Sequence, residues 1–190
     1  AFTLRKLKIG GNSSMKVMAE IFNATALAEN ELAGKIDDFV GRGAHIIDLA
    51  LEHDASHKKI REVMRTAASF DIPISIDAVS EEQMVYAARS GADVIASLNG
   101  RNIHKVGKEV GEHDVAAIVI PGNGDILRNI SLARKAGIEK IIADPIIRPL
   151  GHGAVSSLLS CYAFRARDVD TPLFFGAGNI TESIDADSIG

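Results

Sequence analysis

Tryptophan is absent, aromatic residues make up 5% of the 190 positions, and cysteine occurs once. A core built from this chain is therefore aliphatic. The lone Cys161 forms no internal disulfide, which excludes both a secreted disulfide scaffold and a cysteine-rich zinc site. A basic excess is also missing. The net charge is −4, so no nucleic-acid partner is expected. No apolar run approaches the roughly 20 residues that span a bilayer, and the opening stretch AFTLRKLKIGG is too broken by charge and glycine to be a signal-peptide core. The chain carries no P-loop. It also lacks a dinucleotide-binding glycine turn, because Gly10 and Gly11 precede the first expected long strand rather than follow it. With 46% hydrophobic and 24% charged residues, a disordered chain is excluded. A soluble, cytoplasmic domain with no membrane partner is the expectation.

What is present is an alternation of short β-branched runs with longer amphipathic segments. Strands are expected at residues 16–22, 44–51, 73–78, 93–98, 115–120, 139–144 and 172–175. Helices are expected near 27–40, 56–68, 81–88, 103–110, 126–135 and 154–166. Gly43, Gly91 and Gly137 each follow a helix and lead into a strand, as left-handed caps of crossover helices do. Strands two to six read as apolar on both faces, which suits a parallel sheet covered by helices. The pattern predicts an α/β fold of the TIM (β/α)8-barrel type with seven βα units visible. A complete barrel takes about 250 residues, so the eighth strand is expected to be missing from this chain, and the helix after strand seven to finish near residues 187–190. Residues 1–14 are read as an N-terminal extension, either the tail of an upstream domain or a hairpin closing the barrel bottom. Residues 15–190 are read as the barrel domain.

Barrels place their chemistry at the C-terminal strand ends. In order, those ends carry Asn23; Asp48, then Glu52, His53 and Asp54; Asp77; Ser97 and Asn99; Asn123; Asp144, then Arg148 and His152; and Asn179. The ring is acidic and amide-rich, with no lysine and one arginine. A carboxylate there accepts paired hydrogen bonds from the donor edge of an aminopyrimidine, and amides complete the set. Each of these residues also suits a helix cap. Ser80 with Gln83 has the spacing of a capping box and is read as structural. Asp48, Asp77 and Asp144 lie instead within or directly after apolar runs, where an unpaired carboxylate is costly. His53 and His57 share helical spacing but lack a third ligand and are read as a solvated face. Cys161 is read as core.

Four segments carry a family resemblance. They are Ile21-Phe22-Asn23-Ala24-Thr25, the stretch GRGAHIIDLALE ending at Glu52, the stretch PISIDAVSEEQMVYAARSGADVI beginning at Pro73, and Ile141-Ile142-Ala143-Asp144-Pro145. In this order and spacing the chain, from Met15 to Asn179, resembles the pterin-binding (dihydropteroate synthase-like) barrels. More narrowly it resembles the archaeal and methylotroph dihydropteroate synthase-related proteins. The resemblance implies a pterin as substrate or ligand. Asp144 would sit on the pterin's amino edge, Asp77 on the ring, Asp48 in support, and Asn99 and Asn179 at the strand-four and strand-seven ends. Asn23 would hold Mg²⁺ or the leaving diphosphate. Three departures accompany it. Ala96 and Ser97 stand where the family has Asn-Asp, so Asn99 could serve only if the strand end bulges. Gly178-Asn179-Ile180 replaces a Ser-Arg-Lys segment. The loop after strand six reads Ile146-Ile147-Arg148-Pro149-Leu150-Gly151-His152-Gly153 in place of Gly-Phe-Gly.

The implied function is a transferase of folate- or tetrahydromethanopterin-type cofactor biosynthesis, joining an arylamine to a dihydropterin diphosphate. Two alternatives stand beside it. One is a methyltetrahydropterin-dependent methyltransferase with a corrinoid protein as partner, since Gly176-Ala177-Gly178-Asn179 resembles the Gly-x-x-Asn of such barrels. The other is a non-catalytic pterin-binding or structural barrel. The family's barrels also imply a homodimer. The sequence assigns no catalytic residue.

Overall fold

The computed structural model describes residues 1–181. A short antiparallel hairpin, β1 (Phe2–Leu4) and β2 (Leu7–Ile9), opens the chain. Six βα units follow: β3 (Met18–Ile21) and α1 (Glu29–Gly41), β4 (Ile46–Ala50) and α2 (His57–Ala67), β5 (Ile74–Asp77) and α3 (Glu81–Arg89), β6 (Val94–Leu98) and α4 (Ile103–Glu112), β7 (Ala116–Val119) and α5 (Ile126–Lys135), and β8 (Ile141–Ala143) and α6 (Ala154–Arg167). The strands form one parallel sheet in chain order, β3-β4-β5-β6-β7-β8. That order is the signature of singly wound βα repetition, and it matches the expected α/β barrel-type fold.

The local chemistry follows the sequence. Gly43, Gly91 and Gly137 all hold φ between 93° and 97°. In each case the next residue's N–H returns to a carbonyl five residues back: Ala44 to Phe39, Ala92 to Ala87 and Ile138 to Ala133. This closes the helix and turns the chain into the next strand. Helix α5 starts where the Asp125 carboxylate accepts from Arg128 N at 2.9 Å, and α2 where Ser56 accepts from Lys59 N at 3.4 Å. The Ser80–Gln83 capping box does not form. Ser80 precedes α3 but makes no side-chain cap bond. Gln83 is buried, and its Nε2 donates to the carbonyls of Glu52, His53 and Ala55. Its Oε1, the atom a capping box would offer to the Ser80 N–H, is buried without a partner, so Gln83 fastens a neighbouring loop instead of its own helix.

The seventh expected strand contracts to one parallel bridge, Leu173 to Ala143, flanked by Ala143 N donating to Pro172 O and Phe174 N to Ala143 O. β8 is three residues long, and Pro172 has no N–H to extend the ladder. Among the described residues no strand joins Leu173 to β3. The helix expected after strand seven lies outside the described residues.

The sheet has two unlike faces. Its outer face, with Ile47, Leu49, Ile74, Ile76, Ile95, Ala117 and Val119, packs beneath the helices. Its inner face carries a second apolar cluster at the lower, N-terminal strand ends: Ile46, Val94, Ala96, Ala116, Ile118 and Ile142, joined by Leu4 and Ile9 of the hairpin. The hairpin thus plugs the bottom of the sheet. Arg5 fixes it there, with its Nε 3.1 Å from both carboxylate oxygens of Asp93 and its Nη1 donating to Phe70 O. Gly10 has φ +78°, and a Cβ there would meet Pro172 at 2.6 Å, so the end of the hairpin also abuts the start of the last bridged segment.

The plug makes Leu4 part of the core. Leu4→Ala is expected to cost about 2–4 kcal/mol of unfolding free energy, measured by urea denaturation, while Lys8→Ala on the exposed side of the hairpin stays within about 0.5 kcal/mol. Unchanged stability in Leu4→Ala would show that the hairpin is no part of the sheet's core.

Candidate active site at the upper strand ends

Side chains alternate along each strand, and register fixes which of them meet. Glu20 on β3 stands opposite Asp48 on β4, Asp48 opposite Ser75 on β5, and Asp77 one step higher beside Ala50. All lie on the inner face, above the apolar plug. Ligand atoms of Glu20, Asp48 and Asp77 fall within 4.8 Å of one another. Asp48 is 8% exposed; its Oδ1 and the Ser75 Oγ are buried without a hydrogen-bond partner. None of the ion pairs among the described residues reaches Asp48 or Asp77.

Burial raises the proton affinity of two acids at this end of the sheet, Asp48 and Asp144. Burial, together with the like charges of Asp77 and Glu20, pushes Asp48 up to about 7, and the adjacent Ser75 hydroxyl pulls part of the way back. Asp144, just past β8, is pushed up to about 6. Burial is the main cause; the Ile146 N–H opposes it, and the charge of Asp77 adds to it. Asp144 follows β8, three strands along the sheet from Asp77 on β5, and shares the upper, C-terminal end of the strands with Asp48 and Asp77.

The backbone at the mouth is held in costly conformations. Asn23, Ser97 and Ile146 all have positive φ, at 52°, 62° and 64°. For a β-branched residue such as Ile146 this is a genuine outlier. The Asp144 Oδ1 holds it there by accepting from Ile146 N at 2.7 Å. At Ser97 the pairing of β6 with β7 slips, since Ile95 faces Ala117 and Leu98 faces Val119. The strand-four end therefore does bulge. Asn99 is nevertheless engaged locally. Its Nδ2 donates to Ser97 O, its Oδ1 accepts from Arg101 N, and its own N–H bonds Asn102 Oδ1. Asn179 lies in a 3-10 turn (Ala177–Thr181) and donates from Nδ2 to Ile147 O, tying the last loop to the loop after β8. Asn23 is exposed, and its side chain makes no cap bond.

Residues outside the ring behave as read from the sequence. Cys161 is buried in α6. His57 stacks on Tyr86 with ring centroids 4.2 Å apart and lies 3.1 Å from Glu82. Sequence reasoning missed Glu20 and Ser75. For Ser75 the signal was available, since it lies two residues before Asp77 on the same strand and so shares its face; Glu20 meets Asp48 only through the register of β3 with β4.

Solved structures share this fold. A dihydropteroate synthase from Coxiella burnetii, in complex with pteroic acid, superposes with a TM-score of 0.68 over 90% of this chain and 75% of its own, at 21% identity. The fold is that of the dihydropteroate synthases. The Xanthomonas albilineans synthase with 4-aminobenzoic acid gives a TM-score of 0.67 at 18% identity, over 83% of this chain and 70% of its own. Mycobacterium tuberculosis Rv1207 gives 0.70 at 19%, over 91% and 78%. At these identities the likeness is one of fold. An uncharacterized protein of Methanocaldococcus jannaschii is 35% identical over 204 aligned residues that take in 97% of this chain. The chain spans 39% of that relative's length. No protein-family model matches. No helix among the described residues is long and apolar enough to cross a membrane.

The mouth sets a pH dependence of stability. Folded, Asp48 keeps its proton up to about pH 7; unfolded, it releases it near 3.8. Between those values the folded chain binds more protons, so stability falls as pH rises through this window, by on the order of 3–4 kcal/mol if Asp48 acts alone. In metal-free buffer, urea midpoints should drop from pH 5 to pH 8, and Asp48→Asn should flatten the slope and exceed wild type at pH 8. A wild-type midpoint that rises over this range would contradict the assignment.

Proposed function

We propose that this chain binds a reduced pterin at the mouth of its sheet and belongs to an enzyme that joins an arylamine to a dihydropterin diphosphate. The observation that carries the reading is Asp144. It is a mostly buried carboxyl at a strand end, fixed by its own Asx-type turn, on the fold shared with the dihydropteroate synthases. Its Oδ1 spends one lone pair on Ile146 N and keeps another, and Oδ2 has no bond among the described residues. Two oxygens thus remain to accept the parallel N–H donors of an aminopyrimidine edge. Asp77, electrostatically coupled to Asp144, is placed for the pterin ring, and Asp48 backs it from the neighbouring strand.

Asn23 is the residue suited to Mg²⁺ and a diphosphate. Its side chain is exposed at the top of β3 and is not spent on a cap. An Mg²⁺ ion keeps several waters and takes few protein ligands, so one amide oxygen beside a substrate phosphate is an adequate protein share. Bound there, the ion would neutralise the departing diphosphate. The chain's own contribution would be to position the pterin's reactive carbon and to exclude water from it. Asn99 and Asn179 are better suited to holding the loops around the ligand than to direct contact, because their amides already carry local bonds. The absence of a lysine at Gly178-Asn179-Ile180 keeps the corrinoid methyl-transfer reading as the second possibility, and a corrinoid protein would then be the partner.

Calorimetric titration with a 7,8-dihydropterin tests the reading. Asp144→Asn preserves the acceptor for Ile146 N and removes one charge-assisted oxygen. It is expected to weaken binding by about 10–100-fold, the worth of one to two charged hydrogen bonds. Wild-type affinity should rise with pH through about 6, as Asp144 ionises into the acceptor form. Failure of the folded wild-type chain to bind any reduced pterin would count against the proposal. Release of diphosphate with an arylamine, or methyl transfer to a corrinoid, separates the two reactions.

A further inference from the structure

The pterin reading uses Asp144 and Asp77 and leaves Glu20 without a role. Yet Glu20, Asp48 and Asp77 come from three consecutive parallel strands, point to the same inner face, and bring ligand atoms within 4.8 Å of one another. Like charges at this spacing repel, and the arrangement persists because strand register fixes each Cβ. The trio holds one atom that a ligand would satisfy: Asp48 Oδ1, on a residue 8% exposed, has no hydrogen-bond partner. An orphaned buried acceptor of this kind is costly, more so when charged, and among the described residues neither Asp48 nor Asp77 takes part in an ion pair.

We propose that Glu20, Asp48 and Asp77 form a binding site for one hard divalent cation, Mg²⁺ or Mn²⁺. The donor set decides the class. Three carboxylates and no imidazole or thiolate select oxygen-loving ions over zinc or copper. The spacing decides the fit. Two ligands on one ion stand at most twice the metal–oxygen distance apart, about 4.2 Å for Mg²⁺ and about 5 Å for Ca²⁺. The ligand atoms lie within 4.8 Å of one another, so side-chain rotation must draw them together to meet one ion of this size. Glu20 is the exposed arm, Asp48 the buried anchor and Asp77 the arm shared with the ligand mouth. The proposal stands without the pterin reading.

The experiment is a Mn²⁺ titration of the chain in metal-free buffer at pH 8, followed by electron paramagnetic resonance. About one ion per chain is expected to bind with a dissociation constant below about 1 mM, and Glu20→Gln to weaken it at least about tenfold through the lost ligand charge. Asp77→Asn serves as a second variant and should do the same. Circular dichroism verifies that both are folded. No saturable Mn²⁺ binding by wild type, or equal affinity in wild type and both folded variants, overturns the site. Pterin titration in chelator keeps the two readings apart. Wild type and Glu20→Gln should then bind pterin alike, so either ligand can fail while the other binds.

Discussion

A carboxylate on the inner face of an aliphatic sheet has few ways to be stable. Water is excluded, every backbone donor nearby is spent on the ladder, and the unfavourable solvation must be met by a proton, a cation or a donor-rich ligand. This chain places Asp48 in that position and surrounds it with Glu20 and Asp77 rather than with Lys or Arg. The composition of the mouth and the functions open to it follow from that unmet charge. A structural role would have been served better by Asn or Ser at the same positions.

The rest of the fold confines the charge to one end. The β1–β2 hairpin fills the lower interior with Leu4 and Ile9, so the sheet is apolar below and acidic above. Helices cover the outer face completely enough that it reads as a continuous aliphatic layer. At the upper rim, strain replaces hydrophobic packing as the recurring feature. Left-handed Asn23, Ser97 and Ile146 aim three strand ends, and Asp144 holds one of them in place. Stored strain of this kind at a rim of unsatisfied acids fits a surface preorganised for a ligand.

Much of this was legible in the sequence. The order of elements, the capping role of Gly43, Gly91 and Gly137, and the acids at positions 48, 77 and 144 could be read from periodicity and local chemistry alone. The bulge at Ser97 was legible only as a condition, because register is a relation between strands and no single strand states it. Gln83 was misread for the same reason. Its spacing from Ser80 is local, but the three carbonyls that capture it belong to a loop about thirty residues earlier in the chain. Glu20 was overlooked because it lies in a run that also reads as an edge strand facing water. The seventh strand was over-read, since the β propensity of Leu173, Phe174 and Phe175 says nothing of how short its partner β8 would be.

The claim at the centre of this account is that burial of Asp48 and Asp144 is not offset by an ion pair among the described residues. Carbon-13 NMR of the aspartate side-chain carboxyls, followed against pH in metal-free buffer, tests it most directly. The account predicts that Asp48 titrates near 7 and Asp144 near 6, well above the value of 3.8 for an unperturbed aspartate. Ordinary acidic titration of both, with every aspartate ionised by pH 5, would mean that the chain already neutralises its own mouth and that no ligand is needed to do so.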